Sequence, residues 1–293
     1  MFQGSYVALV TPFKNNKVDT DKLKELIEFQ IKNGTSGIVP CGTTGESSTL
    51  SYEEHDFVIE TVVKAVNKRV KVIAGTGSNS TDEAIILSQH AEKAGCDGVL
   101  LVSPYYNKPT QKGLFLHFKA IADSLKIPVM LYNIQSRTAV NIEVQTTAKL
   151  VKECKNIIAT KEASGSLEQM AQTIAQCPGL DVMSGDDMLT LPLMSIGGLG
   201  VVSVVANIVP KDVSEMVSAF LKGDLKKAQS INAKLLPLIK AMFIETNPIP
   251  VKTAMGMMGM CEPELRLPMC EMEESNKKKL EKALKDYGLK TVQ

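Results

Sequence analysis

The chain predicts an α/β fold, a (β/α)8 barrel with a C-terminal helical extension. Three observations predict it. Eight short apolar runs recur through about the first 205 of the 293 residues. These runs are continuous rather than alternating, as expected of parallel strands covered on both faces. Between them lie segments whose apolar residues repeat at helical spacing. A doubly wound open sheet is the structural alternative, but it usually carries a glycine-rich phosphate turn after its first strand. Here the first strand runs into Val10-Thr11-Pro12-Phe13 instead.

The first strand is expected at 6–10, followed by a helix at 19–33 that places Leu23, Leu26, Ile27 and Ile31 on one face. Asp19 suits the N-cap of that helix and Gly34 its stop. Strands at 37–41, 70–75 and 98–103 alternate with helices at 52–67, 81–94 and 111–125. Thr81 is the expected N-cap of the helix that Gly95 ends. Further strands follow at 129–133, 157–162, 181–184 and 200–205. The uncharged run 188–210 has the length of a membrane span, but it contains Pro192, Gly197, Gly198, Gly200 and Asn207. A short helix, a glycine turn and a β-branched strand account for it better. Beyond 210 the strands stop, and helices are expected at 213–222, 225–243, 250–260 and 273–284. No Pro-, Gly- or Ser-rich linker separates them, so the expected division is a barrel over 1–224 and a packed helical extension over 225–293. The charge-rich tail 271–286 reads as a solvated helix face.

Composition narrows the function. A chain with 44% hydrophobic residues can bury a large core without metal or disulfide support. Lys+Arg 33 against Asp+Glu 32 gives a net charge of +1, which argues against a nucleic-acid surface. His55, His90 and His117 are far apart, and no metal-ligand spacing occurs. The six cysteines are scattered in mostly apolar surroundings and read as reduced thiols. Residues 1–13 lack the pattern of a targeting segment, so a cytoplasmic protein is expected.

In such a barrel the chemistry belongs at the C-terminal ends of the strands. There the sequence places Gly42-Thr43-Thr44-Gly45-Glu46, Pro104-Tyr105-Tyr106-Asn107, Tyr132-Asn133, Ser136-Arg137-Thr138, Lys161-Glu162 and Gly185-Asp186-Asp187. Lys161 is the most informative. A lysine within a buried strand loses solvation, which favours the neutral amine, and a neutral amine attacks ketones to form a Schiff base. An ion pair with Glu162, or snorkelling at the barrel rim, is the simpler reading of the same residue. Tyr132 can pass protons to and from a carbinolamine, with Thr43 and Tyr106 as relay partners, or it can be a core tyrosine with a bonded tip. The glycine–threonine turn offers N–H groups and hydroxyls to a small carboxylate, or is an ordinary connection. Arg137 offers a bidentate fork to a carboxylate, or a surface ion pair.

Taken together with Lys161-Glu162-Ala163-Ser164-Gly165 and Asn247-Pro248-Ile249-Pro250-Val251-Lys252, these motifs resemble the 4-hydroxy-tetrahydrodipicolinate synthase (dihydrodipicolinate synthase) family along essentially the whole chain. The resemblance implies a class I aldolase-type lyase of lysine (diaminopimelate) biosynthesis. It would condense pyruvate with L-aspartate 4-semialdehyde and use no organic cofactor or metal. By the same resemblance Lys161 forms the Schiff base, and Tyr132 is the proton donor and acceptor. Thr43 and Tyr106 complete the relay, Tyr106 reaching in from the partner subunit of a tight dimer. Thr44, Gly185 and the backbone at Val202 hold pyruvate, and Arg137 holds the semialdehyde carboxylate. A homotetramer built as a dimer of dimers is implied, as is lysine feedback at Ser47, Ser48, His55, Asn79, Glu83 and Tyr105.

The chain departs from the family pattern at four places. Tyr52 replaces a histidine or tryptophan, Gln135 a proline and Ala139 a glycine, and Ala159-Thr160 replaces Gly-Ile before the lysine. Two rival readings are N-acetylneuraminate lyase or a keto-deoxy-sugar acid aldolase on the same scaffold, and a non-catalytic ligand-binding protein. The second needs a broken lysine, tyrosine or threonine, and none is broken.

Overall fold

The structure, a computed structural model, describes residues 1–292. Eight parallel strands form a closed barrel in chain order. They are β1 Gly4–Ala8, β2 Gly37–Val39, β3 Lys71–Gly75, β4 Gly98–Val102, β5 Val129–Asn133, β6 Ile157–Glu162, β7 Asp181–Ser184 and β8 Gly200–Ser203. Every expected strand is present within two residues at either end. The one addition is a two-stranded hairpin, Phe13–Lys14 with Lys17–Val18, whose strands are too short to show a period.

The residues group into two compact units. The first comprises Met1–Gly4 and Lys71–Val202. It holds β3 to β7, most of β8, and helices α3 Thr81–Ala94, α4 Gln111–Asp123, α5 Val144–Glu153, α6 Leu167–Gln176 and α7 Thr190–Ser195. Its strands are almost wholly buried, which explains their unbroken apolar runs. Between β7 and the helices α6 and α7, Met170, Cys177, Leu180, Val182 and Leu193 form one apolar cluster. The uncharged run 188–210 resolves into α7, a glycine turn and β8, then a short 3₁₀ turn at Val205–Asn207. No helix among the described residues is long and apolar enough to cross a membrane.

The cap of α3 corrects one expectation. Ser80, not Thr81, is the N-cap, and its side chain accepts from the Glu83 N–H. Thr81 Oγ1 instead meets His117 Nδ1 at 2.9 Å. A hydroxyl with a buried ring nitrogen to satisfy is held there, so the adjacent serine takes the cap.

The second unit comprises Ser5–Val70 and the described residues from Ser203 onward. It pairs β1 with β2, matching Tyr6 to Gly37 and Ala8 to Val39. Its helices are α1 Thr20–Lys32, α2 Tyr52–Val66, α8 Pro210–Leu221, α9 Leu225–Met242, α10 Ile249–Met257 and α11 Glu274–Tyr287. Asp19 caps α1 as expected, and a full capping box of Ser51 and Glu54 starts α2. Gly34 and Gly95 both adopt positive φ beyond their helices. Asn207 bridges β1 to the turn after β8, accepting from Val10 N and donating to Ala8 O. Helix α9 packs on α8 and α11. In α11 Leu280 and Leu284 are buried, while the lysines of its other face stay in solvent.

All six cysteines are free thiols, five buried and Cys270 exposed. Burial pushes the Cys96 thiol up to about 12 and Cys261 up to about 11. No group of three or more His, Cys, Asp or Glu among the described residues is placed to hold a metal.

Burial also pulls the His117 imidazole down from 6.5 to about 4. Between those values the unfolded chain takes up a proton that the folded chain refuses, so stability falls as pH falls from about 6.5 to 4. The loss amounts to about 3 kcal/mol from this group. Urea unfolding across that range is expected to show a smaller acid loss in His117→Gln, which keeps a partner for Thr81 and does not titrate. An equal loss in the variant would assign the acid sensitivity elsewhere.

Candidate active site

In the first unit the parallel register sets Tyr132 beside Lys161 and Asn133 beside Glu162. Successive residues of a strand face opposite ways. One pair, Tyr132 with Lys161, therefore shares a face, and the other pair shares the opposite one. Lys161 is 6% exposed, with its Nζ 4.1 Å from the centre of the Tyr132 ring. Ser103 N holds the strand end by donating to Tyr132 O at 3.1 Å.

Glu162 does not pair with Lys161. Asn133 Nδ2 donates to both of its carboxylate oxygens at 3.2 and 3.3 Å, Ser164 N to one at 2.9 Å, and Gln169 Nε2 to the other at 3.3 Å. Asn141 completes the set, accepting from Asn133 Nδ2 at 2.8 Å and donating to Gln169 Oε1 at 2.8 Å. These amides solvate a buried carboxylate in place of a cation. The Lys161 amine is consequently left with no anionic partner among the described residues.

Gly185 follows β7 and lies against the lysine stem. A Cβ there would come within 2.9 Å of Lys161 Cε and 2.8 Å of Ala163 Cβ, so only glycine leaves the stem in place. Val202 is buried in β8. After β4, Tyr105 is partly exposed, and Tyr106 is 90% exposed at a φ of 72°. Asn79 Nδ2 donates to Tyr105 O at 3.2 Å, and Ser78 Oγ donates to the Glu83 carboxylate. Burial, then the Glu83 charge, push the Tyr105 phenol above its ordinary value.

Arg137 lies exposed on a single helical turn, Gln135–Thr138, after β5. Two of the departures from the family pattern, Gln135 and Ala139, sit here and have physical readings. Gln135 occupies the first position of the turn, where a proline fits without losing a bond, so the exchange is tolerated. Ala139 ends the turn at a φ of 58°, a conformation that costs a non-glycine residue roughly 1 kcal/mol. That is a reason for glycine at this position.

The second unit carries the threonine turn after β2. Thr43 is half-buried and Thr44 buried, and Asn247 Nδ2 donates to Thr44 Oγ1 at 3.0 Å. Gly45 fits between Leu9 O and Cys41 N, where a Cβ would meet both at 3.1 Å or less. Glu46, at a φ of 53°, forms a buried ion pair with Lys252 at 2.6 Å. Burial holds the Lys252 amine below its ordinary value against the opposing pull of Glu46. Lys252 Nζ also donates to Glu264 O at 2.8 Å, and Arg266 N donates to the second Glu46 oxygen at 3.1 Å. Ser48 is exposed and half-buried Ser47 opens a 3₁₀ turn, while His55 is buried in α2 and Tyr52, at its start, is 56% exposed.

The structure thus brings Lys161, Tyr132 and Gly185 together in one unit, and sets Thr43 and Thr44 in the other. Three features went unread in the sequence: the amide set around Glu162, the Asn247 contact to Thr44, and the Lys252–Glu46 pair. Asn247, Lys252 and Glu46 lie within the motifs that carry the family resemblance, and that is their only signal. Asn141 and Gln169 carry none.

Comparison with known proteins agrees along the chain. A family model described as the Dihydrodipicolinate synthetase family matches residues 1–287. The chain is 63% identical over 289 residues to the 4-hydroxy-tetrahydrodipicolinate synthase of Endomicrobium trichonymphae, covering 99% of each chain. The crystal structure of dihydrodipicolinate synthase from Aquifex aeolicus superposes with a TM-score of 0.98 at 52% identity, covering 100% of both chains. That of DHDPS from Cyanidioschyzon merolae with lysine bound gives 0.95 at 42% identity and covers 99% of both.

Gly185→Ala is expected to shift the lysine stem and slow borohydride trapping of an α-keto acid on Lys161 at least about 10-fold. The thermal midpoint should fall as well, because Ala163 Cβ, the nearest atom at 2.8 Å, is fixed to its backbone and cannot rotate aside, so trapping is compared well below both midpoints. Unchanged trapping would show that Gly185 does not set the amine's position.

Proposed function

The chain belongs to the dihydrodipicolinate synthetase family and its activity is the lyase reaction of the 4-hydroxy-tetrahydrodipicolinate synthases; from that premise we propose that Lys161 carries pyruvate as a covalent Schiff base. The observation that carries this reading is the Lys161 amine, set over the Tyr132 ring with the neighbouring carboxylate engaged elsewhere. Nζ attacks the C2 carbonyl of pyruvate and water leaves, giving the imine. Loss of a C3 proton gives the enamine, which attacks the aldehyde carbon of L-aspartate 4-semialdehyde. The semialdehyde's amino group then displaces Lys161 from C2, closing the ring of 4-hydroxy-tetrahydrodipicolinate and freeing the enzyme.

Tyr132 moves the protons of these steps, with Thr43 and Tyr106 as its relay. Thr44, Gly185 and the Val202 backbone hold pyruvate, and Arg137 takes the semialdehyde carboxylate as a bidentate partner. The protein's own groups supply the electron sink, so the reaction needs no organic cofactor or metal. The chemistry belongs to the barrel over 1–224, with 225–293 as its helical extension. The working form is a cytoplasmic homotetramer built from tight dimers. The exposure and strained φ of Tyr106 support its crossing to a partner subunit.

L-Lysine is the feedback inhibitor in this reading, taken by Ser48, His55, Asn79, Glu83 and Tyr105. Glu83 is the acidic group for an ammonium, and the lysine-bound relative supports the ligand class. Tyr52 keeps an exposed aromatic face for the lysine stem.

Borohydride reduction with pyruvate should leave a mass adduct on Lys161, and Lys161→Ala should lower turnover by at least about 10³-fold with the fold intact. Turnover near that of the parent would exclude a Schiff base at this residue. In the condensation assay, lysine at millimolar concentration is expected to slow the reaction, and Glu83→Gln should weaken that response. A rate indifferent to lysine would remove the inhibitory site.

A further inference from the structure

We propose that Asn247 is a positioning residue that aims the Thr44 hydroxyl at the carboxylate of the keto-acid substrate. The proposal rests on the reading of Thr44 as a pyruvate-binding group. Both residues belong to the same compact unit and both are buried. Asn247 Nδ2 donates to Thr44 Oγ1 at 3.0 Å, across 203 residues of sequence. A hydroxyl has one proton and two lone pairs. Once a lone pair is taken by an amide donor, the hydroxyl's own proton is the group left to give away.

Among the described residues Thr44 Oγ1 makes no other hydrogen bond. A buried hydroxyl proton without an acceptor is costly, and an anionic oxygen is its natural complement. A carboxylic acid or an amine on the substrate would be served less well than a carboxylate.

The backbone around Thr44 is independently fixed. Thr11 Oγ1 donates to Gly45 O at 2.7 Å, and Glu46 is held by Lys252. The chain on the other side is fixed too, since Lys252 follows Asn247 by one turn of α10 and the loop before it. With both backbones held, the amide of Asn247 sets where the hydroxyl proton points. Thr44 is β-branched, which limits χ1 and so fixes where its oxygen sits, leaving the amide to set the rotation of the O–H.

The test is a double-mutant cycle in pyruvate kinetics. Asn247→Ala and Asn247→Asp are each expected to raise the KM for pyruvate about 10-fold, with kcat within about 2-fold of the parent. Aspartate keeps the shape of asparagine and removes the donor, so it carries the test if the alanine variant fails to fold. In a Thr44→Val background neither change should raise KM further. If Thr44→Val itself leaves KM unchanged, the reading of Thr44 falls and this proposal with it. If Thr44→Val raises KM while the Asn247 variants do not, this proposal alone is overturned. An equal Asn247 effect with and without the Thr44 hydroxyl also overturns it.

Discussion

The period of two in a parallel strand is the constraint on which the surroundings of Lys161 depend. Lys161 and Glu162 are neighbours in sequence, and oppositely charged neighbours in a helix or loop readily meet. In a barrel strand they face opposite ways, and the register of β5 against β6 gives each a different companion. Lys161 receives an aromatic face, whereas Glu162 receives amides from Asn133 and Gln169 and the Ser164 N–H. The carboxylate is satisfied by dipoles alone. That arrangement separates a structural anion from an amine under an aromatic face one residue away, with no spacer between them.

The threonine turn rests on the opposite solution, a full ion pair in the interior. Lys252 is 0% exposed and bonded to Glu46, with the Glu264 carbonyl accepting a further N–H. Removing one partner of such a pair leaves an uncompensated buried charge, at a cost of roughly 3–5 kcal/mol. Its place in the fold gives it a structural task. Glu46 stands at positive φ, two residues beyond Thr44, and its second oxygen holds the Arg266 N–H. The Arg266 guanidinium in turn grips Glu54 through two bonds of 2.5 and 2.6 Å and closes on the Phe13 ring. One charged cluster therefore ties the turn after β2, helix α2, the early hairpin and the segment after α10.

Much of this was legible in the sequence, for identifiable reasons. A strand buried on both faces has to be apolar throughout, so β4 to β6 announce themselves as unbroken runs. Lys161 stands out because it interrupts one of them. The hairpin at Phe13 did not show, since two residues carry no period. Ser80 and Thr81 are both good caps by type, and only the distant His117 decides between them. The amides around Glu162 come from three separate segments and have no spacing to recognise. Asn247 and Lys252 fall in a motif that marks kinship without saying what either side chain does. Local chemistry was readable, and partners brought together by folding were not.

The distribution of thiols has a practical consequence. Five sulfurs are closed inside the protein and Cys270 alone faces solvent. The folded chain therefore offers a reagent for thiols a single point of attachment, far cleaner than six cysteines suggest. A dye or spin probe could be placed at Cys270 without engineering, and the silent five would then count, one by one, how much of the interior opens as conditions change.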